Sequence, residues 1–188
     1  MIGVKSATKS IKIDEVDESI FGRKYFAHCL NCLFCDDLCC SHSCQIDRAA
    51  KDRILIYATE LEARLAIPAS HWFEEEVIND ADYPSGEAMK IKVNRGRCVF
   101  YDHQLRGCYL HRFASENCMD WHLLKPMVCS LFPATWEKGR LFINSLLDEL
   151  PCRNQGVLVF EAQKEELKFY FGTEFVSELE SIAFQMTL

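Results

Sequence analysis

The sequence lacks an apolar run long enough to cross a bilayer, which takes about 20 residues. Residues 1–10 also lack the apolar stretch of a secretory signal. Basic residues are fewer than acidic ones, 21 against 28, so the net charge is −7. This balance argues against nonspecific binding to nucleic acid or to an anionic membrane. We therefore expect a cytoplasmic protein that binds neither nucleic acid nor membrane.

Common catalytic motifs are absent from the sequence as well. There is no Gly-rich phosphate-binding loop and no nucleophile elbow of the hydrolase type. The sequence also shows no internal repeat and no low-complexity tract. These observations leave open whether the protein is an enzyme, and they direct attention to the residue type that is present in excess.

That residue is cysteine. The chain has 11 cysteines, an odd number that cannot pair completely, and in a reducing cytosol such thiols indicate metal or redox chemistry rather than disulfides. The densest group is Cys29, Cys32, Cys35, Cys39, Cys40 and Cys44. Thiols at gaps of two and three residues converge on one point, as the ligands of an ion or a cluster do. We therefore predict that the protein binds a metal.

The spacing leaves the metal open between zinc and iron. Cys29-x2-Cys32-x2-Cys35-x3-Cys39 is the ligand spacing of a bacterial ferredoxin, in which a proline follows the fourth cysteine. Here Cys40 takes that position. Two-residue gaps between thiols also suit zinc. The predicted cofactor is thus zinc or iron, and a [4Fe-4S] cluster is one form that the iron could take.

A second group of cysteines follows more than fifty residues later. Cys98 lies in a predicted hairpin, Cys108 opens a Cys-x2-His motif that ends at His111, and prolines flank Cys129. Such turn-rich surroundings make a poor hydrophobic core, so we predict these three cysteines as further metal ligands. Among the histidines, His111 and His42 are the candidates to test as ligands.

The remaining cysteines and histidines are interpreted as non-ligands. A lone cysteine is usually a small buried apolar residue, and burial is the expectation for Cys118 and Cys152. Histidines on the surface or behind the ligands are expected at His28, His71, His103 and His122.

Periodicity predicts a small α+β fold organised by the metal. Apolar residues at three- and four-residue spacing between Asp47 and Pro68 predict an amphipathic core helix, with Asp47 as its N-cap or as an acidic residue of its first turn. Hairpins are predicted at residues 89–101, with the turn at Asn94-Arg95-Gly96, and at residues 132–143.

Weaker patterns complete the predicted fold. Ile11–Ile13 suggests a short edge strand, and residues 70–76 suggest a short helix. We expect residues 1–155 to form a cysteine-cluster metal-binding domain, with residues 156–188 as a C-terminal helical extension packed on it. Because the tail from Val157 is rich in apolar residues, it is also a candidate surface for a homodimer or a protein partner.

The ordered cysteine motifs resemble the YkgJ-type cysteine-cluster family, a zinc- or iron-chelating domain named for Cys-x-x-Cys-x-x-Cys-Cys. The resemblance extends over residues 29 to 133. It is carried by Cys32, Cys35, the Cys39-Cys40 pair, Cys98-Val-Phe, Cys108-Tyr-Leu and Lys125-Pro-Met-Val-Cys129-Ser-Leu-Phe-Pro133. This chain has three residues rather than two before the cysteine pair, and Lys-Pro where the family has Arg-Pro. The resemblance implies metal chelation and specifies no reaction.

Three functions fit these residues. The favoured one is a metal-binding protein with a structural or metal-handling role, in which the cysteines join the N-terminal loop to residues 98–129. The second is an iron–sulfur redox or protein-modifying enzyme, suggested by the Cys29 to Cys39 spacing. The third is an interaction module that uses the apolar C-terminal helices.

Overall fold

The computed structural model describes residues 2–3, 11–27 and 34–186 of the 188-residue chain, and this part has a mixed α+β fold, as predicted. The helices are α1 (Ser19–Gly22), α2 (Arg48–Ile56), α3 (Ala58–Leu65), α4 (Tyr109–Glu116), α5 (Met127–Leu131), α6 (Val159–Phe171) and α7 (Thr173–Met186). The strands are β1 (Ile2–Gly3), β2 (Glu15–Val16), β3 (Lys24–Tyr25), β4 (Gln45–Asp47), β5 (Phe73–Asn79), β6 (Glu87–Ile91), β7 (Val93–Asn94), β8 (Arg97–Cys98), β9 (Ala134–Glu137), β10 (Arg140–Ile143) and β11 (Val157–Leu158). Among the helices of the described residues, none combines the length and apolar character of a membrane span.

The chain divides into two compact units. The terminal unit comprises Met1–Ala27 and Leu131–Leu188, and the central unit comprises His28–Ser130. This division lies at other positions than the boundary expected near residue 155, and it groups the C-terminal helices with residues 11–27. All nine cysteines predicted as ligands have sequence positions within the central unit.

The terminal unit contains a four-stranded sheet in the order β1-β2-β10-β9. Its β9–β10 hairpin confirms the one predicted at residues 132–143, and the two loop residues Lys138 and Gly139 both have positive φ (49° and 78°). The predicted strand at Ile11–Ile13 is wrong. Those two isoleucines are buried, but sheet pairing starts later, where the backbone N–H groups of Asp14 and Glu15 donate to the carbonyl of Gly139.

The predicted C-terminal helices are confirmed as α6 and α7, which are separated by Gly172 at φ 93°. Helix α6 packs against α1, where the rings of Phe21 and Phe160 meet edge to face at 5.2 Å. The buried Gln163 Nε2 donates to the Tyr25 hydroxyl at 2.5 Å and to the Phe132 carbonyl at 2.9 Å. A role of residues 157–188 in binding a partner stays a prediction.

The central unit is built on an antiparallel sheet in the order β4-β6-β5. Asp47 caps α2 as predicted, because its Oδ1 accepts from the N–H groups of Ala49 and Ala50. The predicted core helix is confirmed as two consecutive helices. They meet at Tyr57, and α3 ends where Ala66 adopts a left-handed conformation at φ 54°.

The short helix predicted at residues 70–76 is wrong, since this segment forms a single 3-10 turn followed by β5. The physical reason is tertiary. Trp72 is fully buried, its Nε1 donates to the Ile67 carbonyl at 2.9 Å, and its ring meets that of Phe100 edge to face at 5.3 Å. Core packing and pairing with β6 therefore override the local helix signal.

The predicted hairpin at residues 89–101 is confirmed around its turn. Asn94 pairs with Arg97, and the loop residues Arg95 and Gly96 have φ values of 51° and 76°, as a two-residue turn of type I′ requires. Residues 87–91 instead form β6 in the three-stranded sheet. The turn leads into β8, and Cys98, the first ligand candidate of the second cysteine group, lies at the end of this strand.

Candidate metal centre

Six cysteines from five segments of the central unit form what we call the thiol cluster. Cys39 and Cys40 lie in a 3-10 helix (Leu38–Ser41), Cys44 precedes β4, Cys98 ends β8, Cys108 is the N-cap of α4, and Cys129 lies in α5. All six are partly buried free cysteines. They include all three predicted ligands of the second cysteine group and three of the six predicted in the first.

Cys44 and Cys129 bring the two groups into contact, since their Sγ atoms lie 3.5 Å apart although the residues are 85 positions apart in sequence. Both backbones are fixed. The carbonyl of Cys44 accepts from Ile91 N at 2.8 Å, and Cys129 N donates to the Pro126 carbonyl at 2.9 Å. The fold therefore brings one cysteine of the first group and one of the second into contact, whereas their role as metal ligands stays a prediction.

In each of two thiol pairs, one thiol has a lowered pKa and the other a raised pKa. The hydrogen bond between the Cys39 and Cys40 side chains lowers the pKa of Cys39 and raises that of Cys40. In the same way, the hydrogen bond between the other two thiols lowers the pKa of Cys129 and raises that of Cys44. A hydrogen bond to a thiolate favours the charged form of the acceptor, so each pair is suited to hold one negative charge.

A negative charge on one thiol of the cluster raises the pKa values of others. Burial raises the pKa of Cys98 and of Cys108, and a negative charge on Cys129 raises both values further. Charge on Cys108 or Cys129 also raises the pKa of Cys40. Such mutual repulsion makes the simultaneous ionisation of these thiols unfavourable. A cation placed among them would relieve it.

Lys125 provides a positive charge next to the thiol cluster. Its ammonium group lowers the pKa of Cys39, Cys108 and Cys129. The same Nζ lies 4.9 Å from the centre of the Trp121 ring, and Lys125 N donates to the Trp121 carbonyl at 2.9 Å. The lysine is therefore positioned to compensate part of the negative charge of thiolates.

A buried carboxylate connects residues 35–44, which we call the cysteine loop, with the segment before Cys108. Asp37 is 3% exposed, and its Oδ2 accepts from Arg106 Nε at 3.0 Å, from Gly107 N at 3.2 Å and from the Tyr101 hydroxyl at 3.3 Å. These donors are 64 to 70 positions away in the sequence. Hydrogen bonds to a buried charge are among the stronger ones in proteins, so this network fixes the cysteine loop.

Arg97, the residue directly before Cys98, adds a second tie to the same loop. One of its terminal nitrogens donates to the Asp37 carbonyl and to Ser41 Oγ, each at 3.0 Å, and the other donates to Asp36 Oδ2 at 2.9 Å. Sequence reasoning missed this arginine and the Asp37 network. The available signal was charge complementarity, since two aspartates separate Cys35 from Cys39 while arginines precede Cys98 and Cys108.

The other candidate residues have different surroundings. Cys35 is buried at the start of the cysteine loop, and the side chain of His42 is exposed. Cys29 and Cys32 lie outside the described residues. Cys152 is buried in the terminal unit, as expected. The expectation for Cys118 is wrong, because it is exposed just beyond α4.

His111 stacks on Trp121, with the ring centres 4.6 Å apart. Burial, and then the nearby charge of Lys125, lowers the pKa of His111 from 6.5 to about 4. The imidazole is therefore neutral at neutral pH. Its described contacts place it beside the indole of Trp121.

This histidine should make the stability of the protein depend on pH. Below pH 6.5 the unfolded chain takes up a proton at His111 that the folded protein does not bind until about pH 4. The free energy of unfolding should therefore decrease as the pH is lowered from 6.5 to about 4. Chemical unfolding of wild type and His111→Gln over the interval measures the difference. The variant should show a smaller decrease, whereas His71→Gln, at an exposed histidine, should follow the wild type. Equal slopes for wild type and His111→Gln would contradict the assignment.

Within residues 2–3, 11–27 and 34–186, no group of three or more His, Cys, Asp or Glu side chains is arranged so that it could hold a metal ion. Four sulfurs of the thiol cluster are instead engaged in the two hydrogen-bonded pairs. The donors themselves are of the soft type that zinc and iron–sulfur clusters use. The residues fit such a metal in chemistry, and the pairs would have to open for it to bind.

No family model matches the chain. No curated protein and no solved structure matches it either. The resemblance to the YkgJ-type family therefore stays a prediction, and the function is argued from the geometry of the thiol cluster.

Proposed function

We propose that the protein binds zinc or iron through its thiol cluster, in a structural or metal-handling role and in the reducing environment of the cytoplasm. The observation that carries this proposal is the 3.5 Å approach of Cys44 Sγ to Cys129 Sγ. These residues are 85 positions apart. Besides burial and hydrogen bonding, a negative charge on Cys129 raises the pKa values of Cys40, Cys98 and Cys108. Core packing needs branched apolar side chains and gives no reason to gather thiols in one place.

Four of the six sulfurs are each the only one that their segment contributes, and these four would hold the metal. They belong to Cys44, Cys98, Cys108 and Cys129. A bound metal would supply a positive charge that keeps the thiolates together. The chain itself contributes the buried donors and the compensating charge of Lys125. Because burial and the thiol hydrogen bonds hold protons on several of these sulfurs, binding would release protons and would be favoured at higher pH.

The all-thiolate donor set supports a structural or metal-handling role over catalysis. Structural zinc sites use four protein ligands, whereas catalytic sites keep one position open for water or substrate. Ligands from the loop before β4, from β8, from the start of α4 and from α5 would fasten four segments of the central unit to one another. Metal binding would then contribute to the folding free energy of this unit.

Elemental analysis of protein purified without oxygen tests the proposal. We expect about one or more equivalents of zinc or iron per chain, the content of at least one closed site. A colourless preparation identifies zinc. A brown preparation with thiolate-to-iron absorption identifies a cluster and favours the alternative of an iron–sulfur redox or protein-modifying enzyme. Folded protein that contains no metal, and takes up neither metal under reducing conditions, would refute the proposal.

A further inference from the structure

The Cys44–Cys129 pair has a second chemical property besides its suitability for metal. The two sulfurs lie 3.5 Å apart in direct contact, and a disulfide bond has a length of about 2.05 Å, so a small approach of the side chains would join them. Neither residue is fully buried by its exposed surface, and we expect a small oxidant such as hydrogen peroxide to reach the pair. No similar contact across the sequence is described for the other thiols of the cluster.

We propose that Cys44 and Cys129 are a site of oxidative modification, at which hydrogen peroxide converts the metal-free protein to a Cys44–Cys129 disulfide that the bound metal prevents. The protection by metal rests on the proposed function, whereas formation of the disulfide does not. The two states exclude each other, because a sulfur atom in a disulfide is no longer an anionic ligand.

The reaction is balanced by peroxide as the only co-reactant. One of the two sulfurs, as its thiolate, attacks an oxygen of hydrogen peroxide, which breaks the O–O bond, gives a sulfenic acid and releases hydroxide. The second sulfur then attacks the sulfenic sulfur, the S–S bond forms, and a second hydroxide leaves. With the two thiol protons, the products are one disulfide and two molecules of water. The sulfurs lose two electrons, and peroxide gains them.

The disulfide would preserve part of what the metal does for the central unit. It would connect the segment before β4 with α5, two of the four segments that the metal would hold. In the metal-free protein, oxidation would therefore keep the cysteine loop tied to α5. The alternative product is a disulfide between the adjacent Cys39 and Cys40, which would close a ring within one short turn and would leave the distant segments unconnected.

Peptide mapping of the full-length wild-type protein distinguishes these outcomes. Protein stripped of metal by a chelator and protein loaded with zinc are treated with hydrogen peroxide, blocked with an alkylating reagent and digested with trypsin. In the stripped protein we expect residues 25–48 and 113–138 to appear as one linked species. Its mass should be the sum of the two peptides less two hydrogens, plus the alkyl groups on the six thiols that remain. In the loaded protein the same species should form several-fold more slowly.

Variants identify the sulfurs within the linked peptides. Residues 113–138 also contain Cys118, so Cys118→Ser is the matched control and should give the same linked species. Cys44→Ser and Cys129→Ser should each abolish it. A loss of two hydrogen masses within residues 25–48 alone, or a link that disappears in Cys118→Ser, would overturn the assignment. If a variant fails to fold, fragmentation of the wild-type linked species in the mass spectrometer identifies the two joined cysteines instead, and any pair other than Cys44 and Cys129 would overturn the assignment.

The result also separates the two proposals. If the protein takes up no zinc or iron, the proposed function fails, yet the linked species can still be observed in the same preparation. If the protein binds zinc and the link forms at equal rates with and without it, metal binding stands and the protection is refuted. If no link forms in stripped protein, the oxidation site itself is refuted.

Discussion

Replacement of Cys108 by Ser is expected to lower the affinity of the protein for its metal by a hundredfold or more. Changes of groups that only orient a ligand typically cost about 10- to 100-fold, so loss of a ligand should cost roughly that much or more. Cys108 is the N-cap of α4 and a member of the thiol cluster. Its serine hydroxyl would be a poor ligand for zinc or for an iron–sulfur cluster.

This position separates metal binding from folding more cleanly than the other cysteines do. Serine is among the preferred N-cap residues of helices, so Cys108→Ser should leave α4 intact or slightly stabilise it. Affinity is measured by competition with a chromophoric chelator, and circular dichroism of the metal-free protein tests the fold. The matched control is Cys118→Ser, at an exposed cysteine of the same unit. If both variants bind metal as the wild type does, Cys108 is not a ligand.

Local sequence patterns predicted those parts of the fold that neighbouring residues determine. The Arg95-Gly96 loop required positive φ at two consecutive residues, and Asp47 had backbone donors directly after it. The cysteines of the first group could be predicted as metal ligands for a similar reason, because thiols at gaps of two and three residues suit a metal better than a hydrophobic core. The interval from Asp47 to Pro68 was recognisable as helical, although the break at Tyr57 was not.

The features that sequence reasoning missed depend on distant contacts. The segment before β5 follows the burial of Trp72 and the pairing with β6 rather than its own propensity. Asp37 finds its partners 64 to 70 positions away, and no local pattern distinguishes it from its neighbour Asp36. Long-range ion pairs leave only complementary charge in the sequence, and many surface charges share that property.

Two sets of interactions, the thiol cluster and the Asp37 network, thus hold segments of the central unit together, and both include the cysteine loop. The thiol cluster brings together the cysteine loop, β8, α4 and α5, and the Asp37 network ties the cysteine loop to residues 101–107. The second tie consists of protein groups alone. It should therefore hold the cysteine loop near its folded position in the metal-free protein, so that metal binding does not have to order the loop alone.

Asp37→Asn should accordingly lower the free energy of unfolding of the metal-free central unit by about 2–3 kcal/mol. The substitution removes the buried negative charge and leaves Arg106 Nε without its carboxylate partner. The expected cost lies below that of a fully buried pair, because the Arg106 side chain is 34% exposed and water screens part of the interaction. Unfolding by urea measures the change, followed by fluorescence in a Trp136→Phe background in which Trp72 and Trp121 of the central unit are the reporters.

Asp36→Asn provides a closely matched control for this variant. The two aspartates are adjacent and have φ values of 49° and 50°, a left-handed conformation that asparagine tolerates well, so the backbone effects should cancel. The side chain of Asp36 is 73% exposed in its pair with Arg97, and an exposed ion pair contributes about 1 kcal/mol or less. A loss of stability in Asp36→Asn equal to that in Asp37→Asn would show that the buried carboxylate does not hold the cysteine loop.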